Sequence, residues 1–501
     1  MKPSLDILRD HADAFLSELA RAQHRYFVGR SAQLSTNQLY AEFPELSDPE
    51  TFAQRREVVA AQSAKEGGSN TLDPWLEFVA TQVEEARAAA ANEAIAALEA
   101  SPVLPSIGLE PHLSIRESVA AIPQERARER REMLESTLAT TLADHQDAYA
   151  GRPAAAEEAA QALRASSYLG LREQVSGYVF SSLAADCERV LAQTEDAYRD
   201  ALSYALRRLD PVLRPGGAKR HDLSRAAVVP WLLEHFAPSD VLPAIARSFA
   251  EGGLDFRAQG RIAIDSEPGL PEGFPPRCFS IEVPDDVRAA ARPRGGIADA
   301  AQLLHVLGQA QHRANTDAAQ PLEYRRLGDA SVNQAFGFLF EHLLVDPAWN
   351  RRYLRLPQRV AKEASQMAAF VQLAALRSAC AFLPCELTLF RRGHREGSSE
   401  YEDRMGAALL VGVNPAFFLY ELLPQLSRTQ VLRGFALEAR LHSVLRERFN
   451  EDFWRNPAAG TWLTQLFSRG QRDDAAKLSQ ELGGPLELAM AGTRLVGALN
   501  G

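Results

Sequence analysis

The residues best placed to do chemistry lie between Leu303 and His312. There the sequence reads Leu-Leu-His-Val-Leu-Gly-Gln-Ala-Gln-His, just past the glycine pair Gly295-Gly296. Residues four apart share a helix face. Two imidazoles at that spacing, with a glutamate beside the first, would therefore grip a zinc ion and supply a general base for hydrolysis. Only the first imidazole, His305, is present. Val306 stands at the position of the base and Gln309 at that of the second imidazole. His312 shares the face of His305, but seven residues separate them by about 10 Å along the axis, too far for both to reach one ion easily. It reads as a satisfied structural histidine.

A helix carrying these residues needs a scaffold, and the pattern of the chain supplies mostly further helices. Apolar residues recur at helical spacing from Ser4 to Tyr26. Ser47-Asp48-Pro49 then caps a second helix over Thr51–Ala64, closed by Gly67-Gly68, and Asp73–Ala100 forms a third. Pro102, Pro105 and Pro111 mark a connection. Beyond it Ser114–Ala150 is helical, and its mixed-sign run Glu125–Glu132 reads as a solvated face held by pairs four apart. Helix continues from Ala154 to about Leu209, and the break Pro211–Gly217 is the clearest internal boundary of the first half. Strand-like, turn-punctuated sequence is confined to Leu254–Pro293, in the segments Arg261–Asp265, Arg277–Pro284 and Asp286–Arg292. Helices resume over Ala298–Asn315, Asp329–Val345, Leu356–Phe382, Ser399–Leu410, Pro415–Leu423 and Arg428–Phe449. Pro457–Arg469, Asp473–Leu482 and Pro485–Leu499 close the series. The fold class is mainly α, with a small β-sheet region beside the His305 helix.

With 501 residues, 46% of them hydrophobic, the chain can bury one large core or two to three ordinary ones. A formal net charge of -10 argues against a general nucleic-acid binder, since phosphate binding needs a cationic face. No basic-then-apolar leader opens the sequence and no run approaches 18 uninterrupted apolar residues, so a cytoplasmic protein without membrane attachment is expected. Four scattered cysteines, Cys187, Cys278, Cys380 and Cys385, do not make a disulfide framework. They are expected to be reduced, with Cys380 and Cys385 as apolar filler.

From Phe256 to about Leu482 the sequence resembles the gluzincin oligopeptidases, the group that contains thimet oligopeptidase and oligoendopeptidase F. The resemblance rests on the extended Val283–Val287 segment, the Gly295-Gly296 turn, the His305 helix, and the stretch from Arg325 through Gln334 to Glu341 and Leu344. It implies a large helical fold with a cleft. It also implies that His305, Gln309 and Gln334 stand at the metal-ligand positions, with Glu341 seven residues beyond the third. A looser alignment puts Ser427 and Val431 where such peptidases carry oxyanion-donating tyrosines. The resemblance thus identifies the chain as a degenerate member: two ligands are carboxamides, which are weakly basic and neutral, and base and oxyanion donors are absent.

The domain reading follows from these marks. Residues 1–215 form an N-terminal helical region and 216–501 a degenerate peptidase-like region. Within the latter lie a β part over about 254–293, site-like helices over about 298–345 and C-terminal helices over about 356–499. The two regions form one cleft-bearing unit. Candidate cleft-lining residues are His305, His312, Asp329, Gln334 and Glu341; without a metal, Glu341 is free to pair with Arg325, Arg326 or His305. The expected function is a catalytically inactive zinc-peptidase homologue, with no cofactor. It would bind a peptide or protein partner, for example an active homologous peptidase. One alternative is an active metallopeptidase whose zinc site is rebuilt with carboxylates such as Asp329 or Glu323. Another is a helical scaffold with a closed cleft.

Overall fold

A computed structural model describes residues 5–65, 73–105, 112–266 and 270–501. Ser4, Gly67-Gly68 and Pro111, to which the sequence assigned a helix start, a helix stop and part of a linker, lie outside the described residues. The architecture is mainly α with one three-stranded sheet. Long helices run over Leu5–Phe27, Pro74–Ala100, Phe180–Leu209, Gln358–Arg392 and Arg428–Phe449. Their ends follow local chemistry. Asp73 accepts the Leu76 N–H ahead of Pro74, and Ser114 and Glu117 close a reciprocal capping box.

The helix Gln358–Arg392 is the spine of the C-terminal half. By length and hydropathy it passes as a membrane span, yet its apolar stretch is largely buried inside the protein, packed against Phe180–Leu209, His394–Leu409 and Leu488–Asn500. It runs straight through Pro384, ten residues past the end that the sequence suggested. At its centre the buried Arg377 donates to the Ala408 and Leu191 carbonyl oxygens at 2.8 and 2.7 Å and to Thr194 Oγ1 at 2.6 Å, and it lies over the Tyr198 ring. A buried guanidinium whose donors are met this way ties three helices together instead of destabilising them.

The sheet occupies the expected segment: β1 Ile262–Asp265, β2 Arg277–Glu282 and β3 Asp286–Ala290. The order is β1-β3-β2, with β1 parallel and β2 antiparallel to the central β3. One face carries Phe279, which packs on Phe27 and His24 of the first helix. The helix Ile297–Ala314, which bears His305, packs against β2 and β3.

Two expectations are corrected, and one short helix had no sequence signal. The run Glu125–Glu132 is not a wholly solvated face: Arg131 is buried, and it joins Arg128 on the buried carboxylate of Asp222 at 3.1 and 3.0 Å. Two charges out of water need such a partner, so this stretch is a docking seam between Arg128–Asp144 and Arg220–Val228. A short helix at Asn37–Glu42 has too few residues to show a period. Pro415–Leu423, expected as a helix, holds one 3-10 turn at Pro415–Phe417. Among the thiols, Cys187, Cys380 and Cys385 are free and buried.

Glycine sets the closest helix approaches. A Cβ on Gly308 would come within 2.5 Å of the Phe336 carbonyl oxygen, and one on Gly434 within 2.7 Å of Gln334 Cβ. The helices Ile297–Ala314, Ala330–Glu341 and Arg428–Phe449 therefore pack backbone to backbone. Because the atom facing Gly308 is main chain and cannot swing aside, Gly308→Ala is expected to cost about 1–3 kcal/mol, read as a lower denaturant midpoint with unchanged slope.

Candidate functional site

The helix Ile297–Ala314 starts at the glycine pair, where both residues hold φ of 96° and Cβ atoms would crowd the Phe236 and Val228 carbonyl oxygens at 3.0 Å. Asp299 accepts the Gly295 N–H at 2.9 Å and also the Arg294 N–H, fixing the turn. The 3.6-residue period then aims Gln302, His305 and Gln309 away from the core, while Leu303, Leu304 and Leu307 point inward.

Opposite stands Ala330–Glu341, begun by Asp329, whose carboxylate accepts the Ser331 N–H. Its residues Gln334, Phe338 and Glu341 meet the His305 helix at the level of Gly337, where a Cβ would lie 2.6 Å from His305 Nε2. The imidazole therefore rests on bare backbone. Phe338 meets it edge-on at 4.7 Å and is itself stacked on Phe435 at 3.8 Å.

Four side chains converge. His305 Nδ1 donates to Glu341 Oε2 at 2.9 Å, and its other ring nitrogen, Nε2, faces the two glutamines. Gln309 Nε2 faces it at 3.1 Å and donates to Gln334 Oε1 at 3.2 Å, and Gln334 Oε1 lies 3.1 Å from His305 Nε2. The amide of Gln309 thus serves two acceptors. Of the partners open to Glu341, the fold selects His305. Arg325 and Arg326 turn instead to Asp13 at 2.9 and 2.8 Å and to carbonyls of the β2 strand and its turn.

Behind Glu341 lies a second buried pair, Glu438 with Arg494. Burial pushes Glu438 up to about 7, the Arg494 guanidinium opposing and Glu341 adding to the rise. Sequence reading missed this pair because Glu438 and Arg494 stand 56 residues apart with no motif between them.

Solved structures share this arrangement of elements. Superposed on PZ peptidase A with an inhibitor, the chain has a TM-score of 0.66 at 12% identity, covering 98% of this chain and 91% of that one. A Bacillus anthracis str. Ames protein assigned as oligoendopeptidase F gives 0.65 at 12% identity over 98% and 89%. A second protein assigned as oligoendopeptidase F gives 0.68 at 11% over 98% and 90%. The fold is that of the oligoendopeptidase F-like peptidases. No family model matches the sequence, and no curated protein does.

A zinc ion in such a fold would need tetrahedral donors about 2.0–2.2 Å from the metal, hence about 3.3–3.6 Å from one another. The three terminal atoms of His305, Gln309 and Gln334, at 3.1 to 3.2 Å, come close to that spacing. Their chemistry does not fit. One imidazole and two neutral carboxamides offer no charge to offset the ion, and Val306 is buried and holds no proton acceptor. Among the described residues no three His, Cys, Asp or Glu side chains form a metal-holding group.

The carboxylates considered for a rebuilt site are engaged elsewhere. Asp329 caps its helix, accepts the Ala475 N–H at 2.9 Å and pairs with Arg433 at 3.3 Å. Glu323 binds Arg9 and the Trp75 indole, both at 2.8 Å. His312 is corrected as a cleft-lining candidate: it is fully buried between Phe336 and Phe467, its ring nitrogens on Asn333 Oδ1 at 2.9 Å and the Gly470 carbonyl at 3.1 Å. Asp329 lines a different cavity, together with Asp73 and Asp474. Ser427 and Val431 sit in the first turn of Arg428–Phe449 and just before it. Between them, Thr429 shares a 2.7 Å hydrogen bond with Tyr178, a tyrosine that arrives from an unrelated part of the chain.

Two predictions follow from this geometry. Restoring charge where spacing already fits, the Gln309→His/Gln334→Glu double variant is expected to take up stoichiometric zinc by equilibrium dialysis, while the unmodified protein takes up little. Burial, helped by the Arg313 charge, pushes His312 down to about 4. Unfolded, the imidazole titrates near 6.5, so the unfolded chain binds the extra proton between those values and stability falls as pH drops through that window. The loss reaches about 2 kcal/mol by pH 5. Between pH 7 and pH 5 the native protein should lose about 2 kcal/mol more stability than His312→Gln, read by denaturation at both pH values.

Proposed function

We propose that this chain is a zinc-peptidase-like protein without catalytic activity, which works by binding a peptide or an extended segment of a protein. The observation that carries the reading is the triangle of His305, Gln309 and Gln334: spacing near that of a metal face, filled by one imidazole and two carboxamides bridged by the Gln309 amide. Hydrolysis of an amide needs a polarised carbonyl and an activated water, and neither an ion nor a base at Val306 is provided for.

One feature supports binding. A cavity of about 460 Å³ runs beside the start of the His305 helix, lined by Asp299, Gln302 and Leu303 together with Arg220, Arg292 and Arg294. The partner is a polypeptide, and an active homologous peptidase is one such partner; a cytoplasmic setting accords with reduced thiols.

The test is zinc content after expression in zinc-supplemented medium, with hydrolysis of a quenched-fluorescent peptide library followed in parallel. We expect zinc well below one equivalent, no cleavage above background, and library peptides recovered intact from the protein. Chelator-sensitive cleavage that disappears in His305→Ala would overturn the reading in favour of an active metallopeptidase.

A further inference from the structure

Unpaired positive charge collects on the surface where the helix Pro347–Tyr353 hands over to Gln358–Arg392. The stretch Arg351–Lys362 holds five cations and no carboxylate, and no other twelve-residue window of the sequence does so. Of the five, Arg352 alone has an ion pair, with Glu251. Arg351, Arg355, Arg359 and Lys362 are exposed, and among the described residues their side chains make no hydrogen bond or ion pair.

Three local preferences are broken there. Arg359 lies in the first turn of Gln358–Arg392, where the helix dipole favours anions, and that turn has neither a carboxylate nor a capping side chain. Arg359 and Lys362, three apart on one helix, put like charges on one face. Arg355 holds φ of 57°, the left-handed region that an arginine enters only at a cost. Folds otherwise keep such choices consistent, and function is the common reason for the exceptions.

Two carboxylates border the group, and both are engaged. Glu251 accepts from Arg352 at 2.9 Å and from the Tyr353 hydroxyl at 2.8 Å. Glu363 accepts the Tyr204 hydroxyl at 2.7 Å and the Trp231 indole N–H at 2.8 Å, and pairs with Arg208 at 3.8 Å. The fold itself leaves the four exposed cations unneutralised.

We propose that Arg351–Lys362 is a docking surface for an acidic segment of another protein. Four of its five cations are arginines, whose forked guanidinium meets a carboxylate through two parallel hydrogen bonds. With a net charge of -10 on the whole chain, a long polyanion such as RNA meets repulsion where it leaves the patch, whereas a short acidic run ends within it. Trp231, the ring beside the patch on which a base would stack, already carries the Arg208 guanidinium at 5.2 Å. A second copy of this chain does not supply the match, because no three consecutive carboxylates occur in its sequence. The surface shares no residue with the cavity beside the His305 helix and stands apart from the peptide binding proposed above.

The probe is a fluorescein-labelled peptide with six consecutive glutamates, titrated into the full-length protein at about 50 and 200 mM salt. The same peptide with six glutamines and a twelve-nucleotide single-stranded RNA are titrated beside it. The glutamate peptide is expected to bind about ten-fold tighter than the glutamine peptide at the lower salt, and the advantage to shrink at the higher. Arg351→Gln/Arg355→Gln/Arg359→Gln should lose that advantage. Arg391→Gln/Arg392→Gln/Arg395→Gln removes as much charge at the far end of the same helix, about 50 Å away, and should keep it. Arg359→Glu puts a carboxylate where the dipole favours one, so it should weaken the glutamate peptide without lowering the unfolding midpoint, a result that a lost fold cannot mimic. Equal binding of the two peptides, equal losses in the two triple variants, unchanged binding in Arg359→Glu, or RNA bound more tightly than the glutamate peptide overturns the proposal.

Discussion

Everything at the candidate site depends on how closely three helices can approach. Gly308, Gly337 and Gly434 remove the Cβ atoms that would hold Ile297–Ala314, Ala330–Glu341 and Arg428–Phe449 apart, and His305 settles into the space left at Gly337. Interhelical distance is set by the side chains at the contact, and bare backbone brings it to its lower limit. At that limit a side chain on one helix reaches its neighbour's within hydrogen-bond distance. The 3 Å spacings among His305, Gln309 and Gln334 follow from packing before any ligand is considered.

The carboxamides then determine what such spacing can do. A set of acceptors aimed at one point repels itself unless a cation sits among them. A glutamine carries a donor and an acceptor on one group, so the Gln309 amide bridges His305 Nε2 and Gln334 Oε1 where a cation would otherwise be needed. The helix–helix contact is satisfied by neutral hydrogen bonds, with the one carboxylate, Glu341, set on the far side of the imidazole. Its net contribution resembles that of any buried hydrogen-bond cluster, and it carries no dependence on metal supply.

Local chemistry made much of this legible. The period of the His305 helix, the glycine pair before it and the strand segments between Arg261 and Ala290 all match what forms, because each is specified within a dozen residues. The seven-residue spacing of Gln334 and Glu341 placed both on one face, and the structure brings both to His305. What stayed hidden depends on distant partners. Nothing near Arg131 announces Asp222, and nothing near Glu438 announces Arg494, so one read as solvent-facing and the other went unnoticed. Asp329 and Glu323 looked available because sequence shows a carboxylate but not the Arg433 or Trp75 already bound to it.

The first helix makes its polar contacts late. Asp13 pairs with Arg325 across 312 residues of chain, and Arg9 with Glu323 across 314. During synthesis at about 5–20 residues per second, Leu5–Phe27 therefore waits roughly 15 to 60 s for the partners that hold it against the sheet. Over that interval Phe15 can already pack on Tyr40 and Phe43, but Phe27 lacks Phe274 and Phe279, so the sheet-facing end of this helix is the part left open to chaperones and proteases while the rest is made.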